Sequence, residues 1–155
     1  MVKVNKVAHV VLNCRDVEAS MKFYTDALGM EVTSYREEPP VAFLSFGAQH
    51  HDLALFQGPA DQEKLEPDHL GLNHIALQLD GGENELKEIY QKLKSSGIEV
   101  ERLSDHGMTC SVYFFDPDGN RLEVFCDLME PEQGKKWIQE HGGYGRPLSL
   151  DKVST

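Results

Sequence analysis

Three segments from the first half of this 155-residue chain recur in the second half, in the same order. The matched segments are 6–12 with 71–77, 29–32 with 97–100, and 53–56 with 122–125. The offsets between matched segments are 65, 68 and 69 residues, a drift that short loops can absorb. A repeat of this length predicts two copies of one supersecondary unit packed together.

Each copy has the pattern of a strand, a helix and three further strands. Helices are predicted through Leu28, with Asp16 as N-cap and Gly29 as C-terminal stop, and from about 83 to 95, before Gly97. Strands are expected at 6–13, 30–36, 41–46 and 52–56, and again at 72–79, 99–103, 109–115 and 121–126. Both copies therefore have the order β-α-β-β-β.

The repeat also divides the chain. Module one is expected at about 6–57, a polar linker at 58–70 and module two at about 71–127. The remaining segment, 128–155, has no counterpart in the repeat and is predicted to form a short helix at 131–140 and an extended tail. We expect this tail to lie over a cleft or to dock on a neighbouring subunit.

Two histidines and one glutamate occupy repeated positions. His9 and His74 coincide in the first matched segments, and Glu123 lies in the last strand of the second copy, where the first copy has Ala54. A single histidine in a strand is more often packed than metal-bound, but equivalent strands of two packed copies bring equivalent positions together. A carboxylate in an apolar strand is costly unless it is paired or binds a metal. Two imidazoles and one carboxylate leave open positions on an ion, which favours Fe(II), while Mn(II) or another divalent metal is also compatible.

Composition excludes several classes of function. The net charge of -11 argues against nucleic-acid binding, which needs clustered Lys and Arg. No apolar run approaches the roughly 20 residues that cross a bilayer. Three cysteines without CxxC spacing fit a reduced protein better than a disulfide framework. We therefore expect a cytoplasmic protein with neither a nucleic-acid nor a membrane partner.

With its paired copies and with His9, His74 and Glu123, the chain resembles the vicinal oxygen chelate superfamily over about residues 6–127. That superfamily includes glyoxalases, extradiol dioxygenases, fosfomycin-resistance enzymes and bleomycin-binding proteins. The resemblance implies an α+β fold, with two tandem βαβββ modules that form a curved mixed sheet around a metal-binding cleft. It implies a single domain of this type over 1–155.

Three local segments resemble those of small extradiol ring-cleaving dioxygenases. The segment 49–55 resembles one in which a histidine acts as acid–base catalyst, and the match falls on His51. The segment 111–117 resembles one whose tyrosine stands ten residues before the glutamate ligand, as Tyr113 does before Glu123. Asp105-His106-Gly107 resembles a motif whose histidine lies near the substrate oxygens.

The choice between His50 and His51 as the acid–base residue stays open in the sequence. Strict strand alternation puts His50, not His51, on the face of Ala54. A β-bulge, or a catalytic site displaced from the metal strand, would allow His51 to be the acid–base residue. The resemblance favours His51.

The resemblance implies an Fe(II)-dependent dioxygenase that acts on a catechol-type aromatic diol with O2 and gives a yellow ring-opened product. His51 would then transfer protons, because the ordinary pKa of histidine lies near neutrality. Tyr113 and His106 would form hydrogen bonds with the substrate oxygens. These three side chains are the predicted catalytic set.

Other functions on the same fold compete with this one. A glyoxalase-like isomerase uses a fourth protein ligand, which Ala54 cannot supply. A fosfomycin-type thiol transferase shares a two-histidine, one-glutamate set but needs a basic pocket, and only Arg102 and Arg121 lie near the predicted ligands. A non-catalytic module that sequesters a drug would not need the metal set. The resemblance also implies a homodimer, with module exchange between the subunits left open.

Overall fold

The computed structural model has the order β-α-β-β-β in both halves of the repeat, followed by one helix and one short strand. It describes residues 1–150, so the end of the predicted tail, 151–155, lies outside the described residues. The chain divides into two compact units, Met1–Lys64 and Leu65–Thr155, with the boundary inside the segment 58–70. The predicted α+β class and the two tandem βαβββ modules are confirmed.

The first unit is a four-stranded sheet with one helix. Its elements are β1 (Val10–Cys14), α1 (Val17–Leu28), β2 (Glu31–Arg36), β3 (Val41–Ser45) and β4 (Leu53–Gln57). The strand order is β1-β4-β3-β2, in which β1 is parallel to β4 and the other neighbours are antiparallel. Since β1 and β4 lie side by side, the beginning of β1 and the turn before β4 are close together.

Helix α1 begins and ends as the sequence predicts, but a different face is buried. The Asp16 carboxylate accepts a hydrogen bond from the Ala19 backbone N–H at 3.0 Å, and Gly29 ends the helix with a φ of 73°. The pattern predicts Val17, Met21, Tyr24 and Leu28 as the inward face, whereas the buried residues are Val17, Ser20, Tyr24 and Ala27. The small side chains of Ser20 and Ala27 allow the helix to approach the sheet closely, which leaves Met21 and Leu28 at the edges of the buried stripe.

The second unit repeats this arrangement and extends it. Its elements are β5 (Ile75–Gln78), α2 (Glu83–Ser95), β6 (Val100–Asp105), β7 (Thr109–Phe115), β8 (Arg121–Asp127), α3 (Pro131–His141) and β9 (Arg146–Pro147). The strand order is β5-β8-β7-β6-β9, and β5 is parallel to β8 as β1 is to β4. The short strand β9 is new relative to the prediction: part of the expected extended tail pairs with the end of β6.

The two histidines of the repeat lie immediately before strands and not within them. The predicted strands 6–13 and 72–79 begin later, at Val10 and Ile75. Val10 pairs with the first residue of β4, so within the first unit the ladder provides no partner for earlier residues. His9 and His74 therefore project from strand ends, where side chains are less restricted by the pleat.

Alternation along β7 and β8 separates polar from apolar side chains in the second unit. Ser111, Tyr113 and Glu123 are buried and share one face of the sheet, since Tyr113 and Glu123 are direct cross-strand partners and Ser111 donates a hydrogen bond to Glu123. Cys110 and Cys126 are also cross-strand partners and belong to the other set of alternating positions. Cys14, Cys110 and Cys126 are all buried free thiols, consistent with the predicted absence of a disulfide framework.

None of the helices within residues 1–150 has the length and apolar character of a membrane-spanning segment.

An ion pair anchors the segment that leads into the second unit. The buried Arg121 guanidinium donates to both carboxylate oxygens of Glu101, at 2.8 and 3.0 Å, and to the Pro67 carbonyl at 3.3 Å. Because Arg121 is 8% exposed, removing its partner would leave an almost buried charge without compensation.

We expect Glu101→Gln to lower the free energy of unfolding by roughly 2 kcal/mol, between the effects typical of surface and buried ion pairs. Urea unfolding followed by circular dichroism measures this change. Asp26→Asn is the matched control, since it weakens the exposed Lys22–Asp26 pair and should cost less than about 0.5 kcal/mol. Equal small losses in both variants would show that Arg121 does not depend on Glu101.

Candidate active site

Glu123 and His74 form the centre of the site in the second unit. His74 Nε2 lies 2.9 Å from Glu123 Oε2, and the other carboxylate oxygen accepts a hydrogen bond from the Ser111 hydroxyl at 2.6 Å. The Glu123 side chain is 9% exposed and that of His74 is 31% exposed. A nearly buried carboxylate thus faces an imidazole that solvent and ligands can still reach.

The hydrogen bonds of His74 and Glu123 fit a divalent cation. His74 Nδ1 is 2.8 Å from the Asn73 side-chain oxygen, an acceptor, so the ring proton of neutral His74 belongs on Nδ1. With its proton on Nδ1, His74 presents the Nε2 lone pair to a carboxylate oxygen 2.9 Å away, an arrangement that a cation between the two acceptors would satisfy. Within residues 1–150, neither unit by itself clusters three His, Cys, Asp or Glu side chains as a metal site. The predicted ligand set draws on both units, because His9 belongs to the first.

Tyr113 lies directly opposite Glu123 in the sheet, and its ring centroid is 5.6 Å from that of His74. Burial, a hydrogen bond with Glu123 and the negative charge of Glu123 together raise the pKa of Tyr113 to about 12. The Arg102 guanidinium, 3.9 Å from the Tyr113 ring centroid, acts in the opposite direction and lowers this pKa. The Tyr113 hydroxyl therefore stays protonated at neutral pH and is available as a donor.

His106 occupies the turn between β6 and β7 and contacts Tyr113 through Nε2. The distance from His106 Nε2 to the Tyr113 hydroxyl is 3.1 Å, and His106 Nδ1 is 3.2 Å from the Gly143 carbonyl oxygen. The His106 backbone N–H also bonds to the Thr109 carbonyl, which closes the turn. The structure thus brings His74, Glu123, Tyr113 and His106, four of the six predicted site residues, into one connected network.

The other two predicted residues, His9 and His51, lie together in the first unit. The ring centroids of His9 and His51 are 4.5 Å apart. His51 also makes an edge-to-face contact with Phe43, and the centroids of these two rings are 5.2 Å apart. Burial, followed by the neighbouring His50 and His9, lowers the pKa of His51, while Asp52 acts to raise it. His51 is therefore kept neutral and able to accept a proton at neutral pH.

The local backbone favours His51 over His50. Strand β4 begins only at Leu53, so strand alternation does not reach either histidine. Asp52 holds the preceding turn, because its carboxylate accepts hydrogen bonds from the Phe46 backbone N–H at 2.8 Å and from Gln49 Nε2 at 2.6 Å. This turn places His51 against His9, and His50 is exposed.

A cavity of about 350 Å³ adjoins Glu123 in the second unit. Its walls are mainly apolar and include Phe125 from β8, Met108 from the β6–β7 turn, and Met129 and Ile138 at and near α3. A ring-sized apolar group fits this composition better than a strongly charged one. The cavity is thus a place for the part of a ligand that extends away from Glu123.

Several residues of the site were not predicted from sequence. Ser111 supports Glu123, Asn73 fixes the His74 ring, Asp52 holds the His51 turn and Arg102 covers Tyr113. A signal existed for Ser111, which stands two residues before Tyr113 and so lies on the same face of a strand that is otherwise largely apolar. Asn73 and Asp52 have no comparable signal, because their roles depend on hydrogen bonds that form in the fold. Arg102 was expected near the ligands, but its contact with the Tyr113 ring was not predicted.

Known proteins resemble the chain in sequence and in fold. Residues 6–124 match the family described as the Glyoxalase/Bleomycin resistance protein/Dioxygenase superfamily. The chain is 34% identical over 151 residues to biphenyl-2,3-diol 1,2-dioxygenase 2 of Rhodococcus globerulus, covering 96% of this chain and 78% of that protein. It is 26% identical over 140 residues to lactoylglutathione lyase of Escherichia coli O157:H7, covering 84% of this chain and 96% of that protein.

The fold also matches a solved glyoxylase/bleomycin resistance protein/dioxygenase domain from Frankia sp. EAN1pec. The TM-score is 0.70 at 19% identity, covering 81% of this chain and 99% of that structure. This likeness concerns the fold alone, and it agrees with the family match over 6–124. The chain belongs to the Glyoxalase/Bleomycin resistance protein/Dioxygenase superfamily, as its repeat and its histidines led us to expect.

Proposed function

We propose that the protein is an extradiol ring-cleaving dioxygenase that acts on a catechol-type aromatic diol with O2. The observation that carries the proposal is the Tyr113 hydroxyl, which is held between Glu123 and His106 and beside His74. A protonated hydroxyl and an imidazole next to a buried carboxylate suit recognition of two neighbouring oxygens on one ligand. The dioxygenase relative at 34% identity supports the same class of reaction.

The proposed metal ligands are His9, His74 and Glu123, with Fe(II) as the metal and Mn(II) or another divalent ion as alternatives. The pair of His74 Nε2 and Glu123 Oε2, 2.9 Å apart, supports this set, since a cation between the two atoms would satisfy both. When bound, such a metal makes the hydroxyls of a coordinated diol more acidic and leaves positions open for both reactants.

The side chains of the chain itself would position the substrate and transfer its protons. His51, kept neutral by burial and by neighbouring histidines, accepts a proton from a substrate hydroxyl and later returns it. Tyr113, whose pKa is about 12, donates a hydrogen bond to a substrate oxygen and does not itself lose its proton. His106 Nε2 lies 3.1 Å from the Tyr113 hydroxyl and stands ready to bond the second oxygen.

The cavity beside Glu123 supports an aromatic substrate that has an apolar substituent. Met108, Met129, Phe125 and Ile138 offer polarizable and apolar contacts to such a group. Biphenyl-2,3-diol, named for the relative from Rhodococcus globerulus, has a substituent of this kind. We take a catechol with a neutral ring substituent as the substrate class for the assays below.

A glyoxalase-like isomerase, a fosfomycin-type thiol transferase and a binding module remain the competing functions. The lactoylglutathione lyase relative belongs to the first of these classes. Against an isomerase that uses four protein ligands, Ala54 occupies the position equivalent to Glu123 and is fully enclosed in the first unit.

The proposal further includes a cytoplasmic location, a role in aromatic catabolism and assembly as a homodimer.

Anaerobic loading with Fe(II), followed by 2,3-dihydroxybiphenyl or catechol in air, should give a yellow ring-opened product that absorbs in the visible range. Oxygen consumption should match product formation one to one, because both oxygen atoms enter the product. Protein loaded with Zn(II) is the control and should remain colourless. If the whole catechol panel gives no product while hemithioacetals of glutathione are isomerised, the isomerase replaces this proposal.

Glu123→Gln should lower bound Fe(II) at least tenfold, because the amide keeps the shape of the side chain but removes its negative charge. Metal content after gel filtration, measured by elemental analysis, tests this. Asp127→Asn is the matched control on the same strand and should keep its iron. Retention of iron by Glu123→Gln would remove Glu123 from the ligand set.

His51→Ala should retain bound metal and lower kcat for ring cleavage about 10²- to 10⁴-fold, the range of general acid–base contributions. His50→Ala, the adjacent comparison, should change kcat less than tenfold, because it removes a neighbour that lowers the pKa of His51 but keeps the proposed proton-transferring ring. Steady-state kinetics with parallel metal analysis separates loss of chemistry from loss of metal. The reverse order of effects would assign proton transfer to His50.

A further inference from the structure

Residues from the C-terminal part of the chain contact the turn that contains His106 on several sides. The Trp137 indole N–H, from α3, donates to the His106 carbonyl at 2.9 Å. Gly107, with a φ of 79°, lies so close to the same indole that a Cβ there would be 2.3 Å from a ring carbon. A side chain at position 107 would therefore push Trp137 away from the turn.

A second set of contacts comes from the tail beyond α3. The Gly143 carbonyl accepts from His106 Nδ1 at 3.2 Å, and Arg146 contacts Asp105 at 3.4 Å. Gly145 packs so tightly that a Cβ would lie 1.8 Å from Ser104 Oγ and 2.8 Å from His106 Cε1. Strand β9 then pairs with the end of β6, which fixes this part of the tail beside the turn.

We propose that Trp137, Gly143 and Gly145 form a C-terminal clamp that sets the position and the tautomer of His106. A carbonyl oxygen only accepts hydrogen bonds, so the Gly143 contact requires a proton on His106 Nδ1. Neutral His106 then has a lone pair on Nε2, 3.1 Å from the Tyr113 hydroxyl, whose single proton is shared between this nitrogen and Glu123. The clamp thereby determines which nitrogen of His106 faces the site.

The clamp residues lie within the alignment with the dioxygenase relative, which covers 96% of this chain, but not within the family match. The family match covers residues 6–124, whereas Trp137, Gly143 and Gly145 all follow it. His106 itself falls within the match, so a residue of the matched segment is oriented by residues that follow it. The consequence for catalysis rests on the proposed function, but the orientation of His106 does not.

Trp137 and the two glycines are positioning residues in this inference, because none of them is required to touch a substrate. Loss of the clamp should therefore leave the sheet intact while His106 gains the freedom to exchange tautomers. A purely structural role would lower stability without changing the proton distribution on one imidazole. The tautomer of His106 is thus the property that separates the two roles.

The test uses full-length, metal-free protein with 15N-labelled histidine, in which multiple-bond 1H–15N spectra report the protonated nitrogen of each of the seven histidine rings. His106→Asn assigns the His106 signal by its disappearance. In spectra recorded at a pH where His106 is neutral, we expect the wild-type ring to be a single tautomer with its proton on Nδ1. A wild-type proton on Nε2, or an even mixture of tautomers, would overturn the inference without any variant.

Two pairs of variants then test the clamp residues. Gly145→Ala should displace the tail and mix the His106 tautomers, whereas Gly143→Ala should not, since a Cβ there meets no atom within 4 Å and the carbonyl remains. Trp137→Phe removes the indole donor and should have the same effect as Gly145→Ala. His141→Ala removes the residue that stacks on Trp137 at 4.0 Å but keeps the indole N–H, so its spectrum should match the wild type.

Turnover is the second readout and separates this inference from the proposed function. If the protein cleaves catechols, Trp137→Phe and Gly145→Ala should lower kcat at least tenfold with KM changed less than threefold. Shifted tautomers in a protein that cleaves no catechol would uphold the clamp and refute the dioxygenase. Catechol cleavage with unchanged tautomers in both variants would refute the clamp and leave the dioxygenase in place. Should Gly145→Ala fail to fold, Trp137→Phe, which makes no new contact, decides.

Discussion

The burial of the Glu123 carboxylate in the middle of a strand is the constraint on which the site depends. An isolated charge at 7% exposure would cost several kcal/mol, so its surroundings have to stabilise it. Ser111 donates a hydrogen bond from the neighbouring strand, the Tyr113 hydroxyl lies opposite in register, and His74 supplies an imidazole at the end of the parallel strand. These contacts involve β7, β8 and the start of β5, so the pairing of these strands determines the relative positions of the four side chains. A shift of one residue in the β7–β8 register would turn Tyr113 to the other face and leave the carboxylate without this partner.

The repeat explains why the two halves contribute different chemistry from the same topology. Both units place a histidine just before their first strand and run that strand parallel to the last strand of the βαβββ module, β4 or β8. The second unit has Glu123 on its last strand and a tyrosine beside it, whereas the first has Ala54 and offers histidines from the turn before that strand. The backbone of the copies is alike, and the polar groups have diverged. A duplicated fold thus provides equivalent positions, and in the proposed function only some of them would hold a metal while others would transfer protons.

The sequence predicted the features that come from local chemistry and periodicity. Caps at Asp16 and Gly29, the helix Glu83–Ser95 and the strand Thr109–Phe115 follow from residue types within each segment. Features that depend on pairing partners were harder to predict. The starts of β1 and β5 are set by where β4 and β8 begin, and β9 exists only because the end of β6 is free to pair. The same distinction applies to the site, where the identities of the polar residues were visible in the sequence but the hydrogen bonds of Asp52 and Asn73 were not.

The segment after the repeat contacts the His106 turn partly through a backbone carbonyl and through a residue that has no side chain. Two of the contacts to the His106 turn come from backbone or from the absence of a side chain, at Gly143 and Gly145. Composition alone marks such residues as a loop, since glycines are typical of turns. Close packing gives them a different role, because a carbonyl that cannot donate decides which imidazole nitrogen holds the proton. The chemistry that His106 offers to Tyr113 is in this way determined 37 residues further along the chain, at Gly143. A histidine whose Nδ1–H is already bonded presents only its Nε2 lone pair to the site, and in the proposed function that lone pair would accept a hydrogen bond from a substrate hydroxyl.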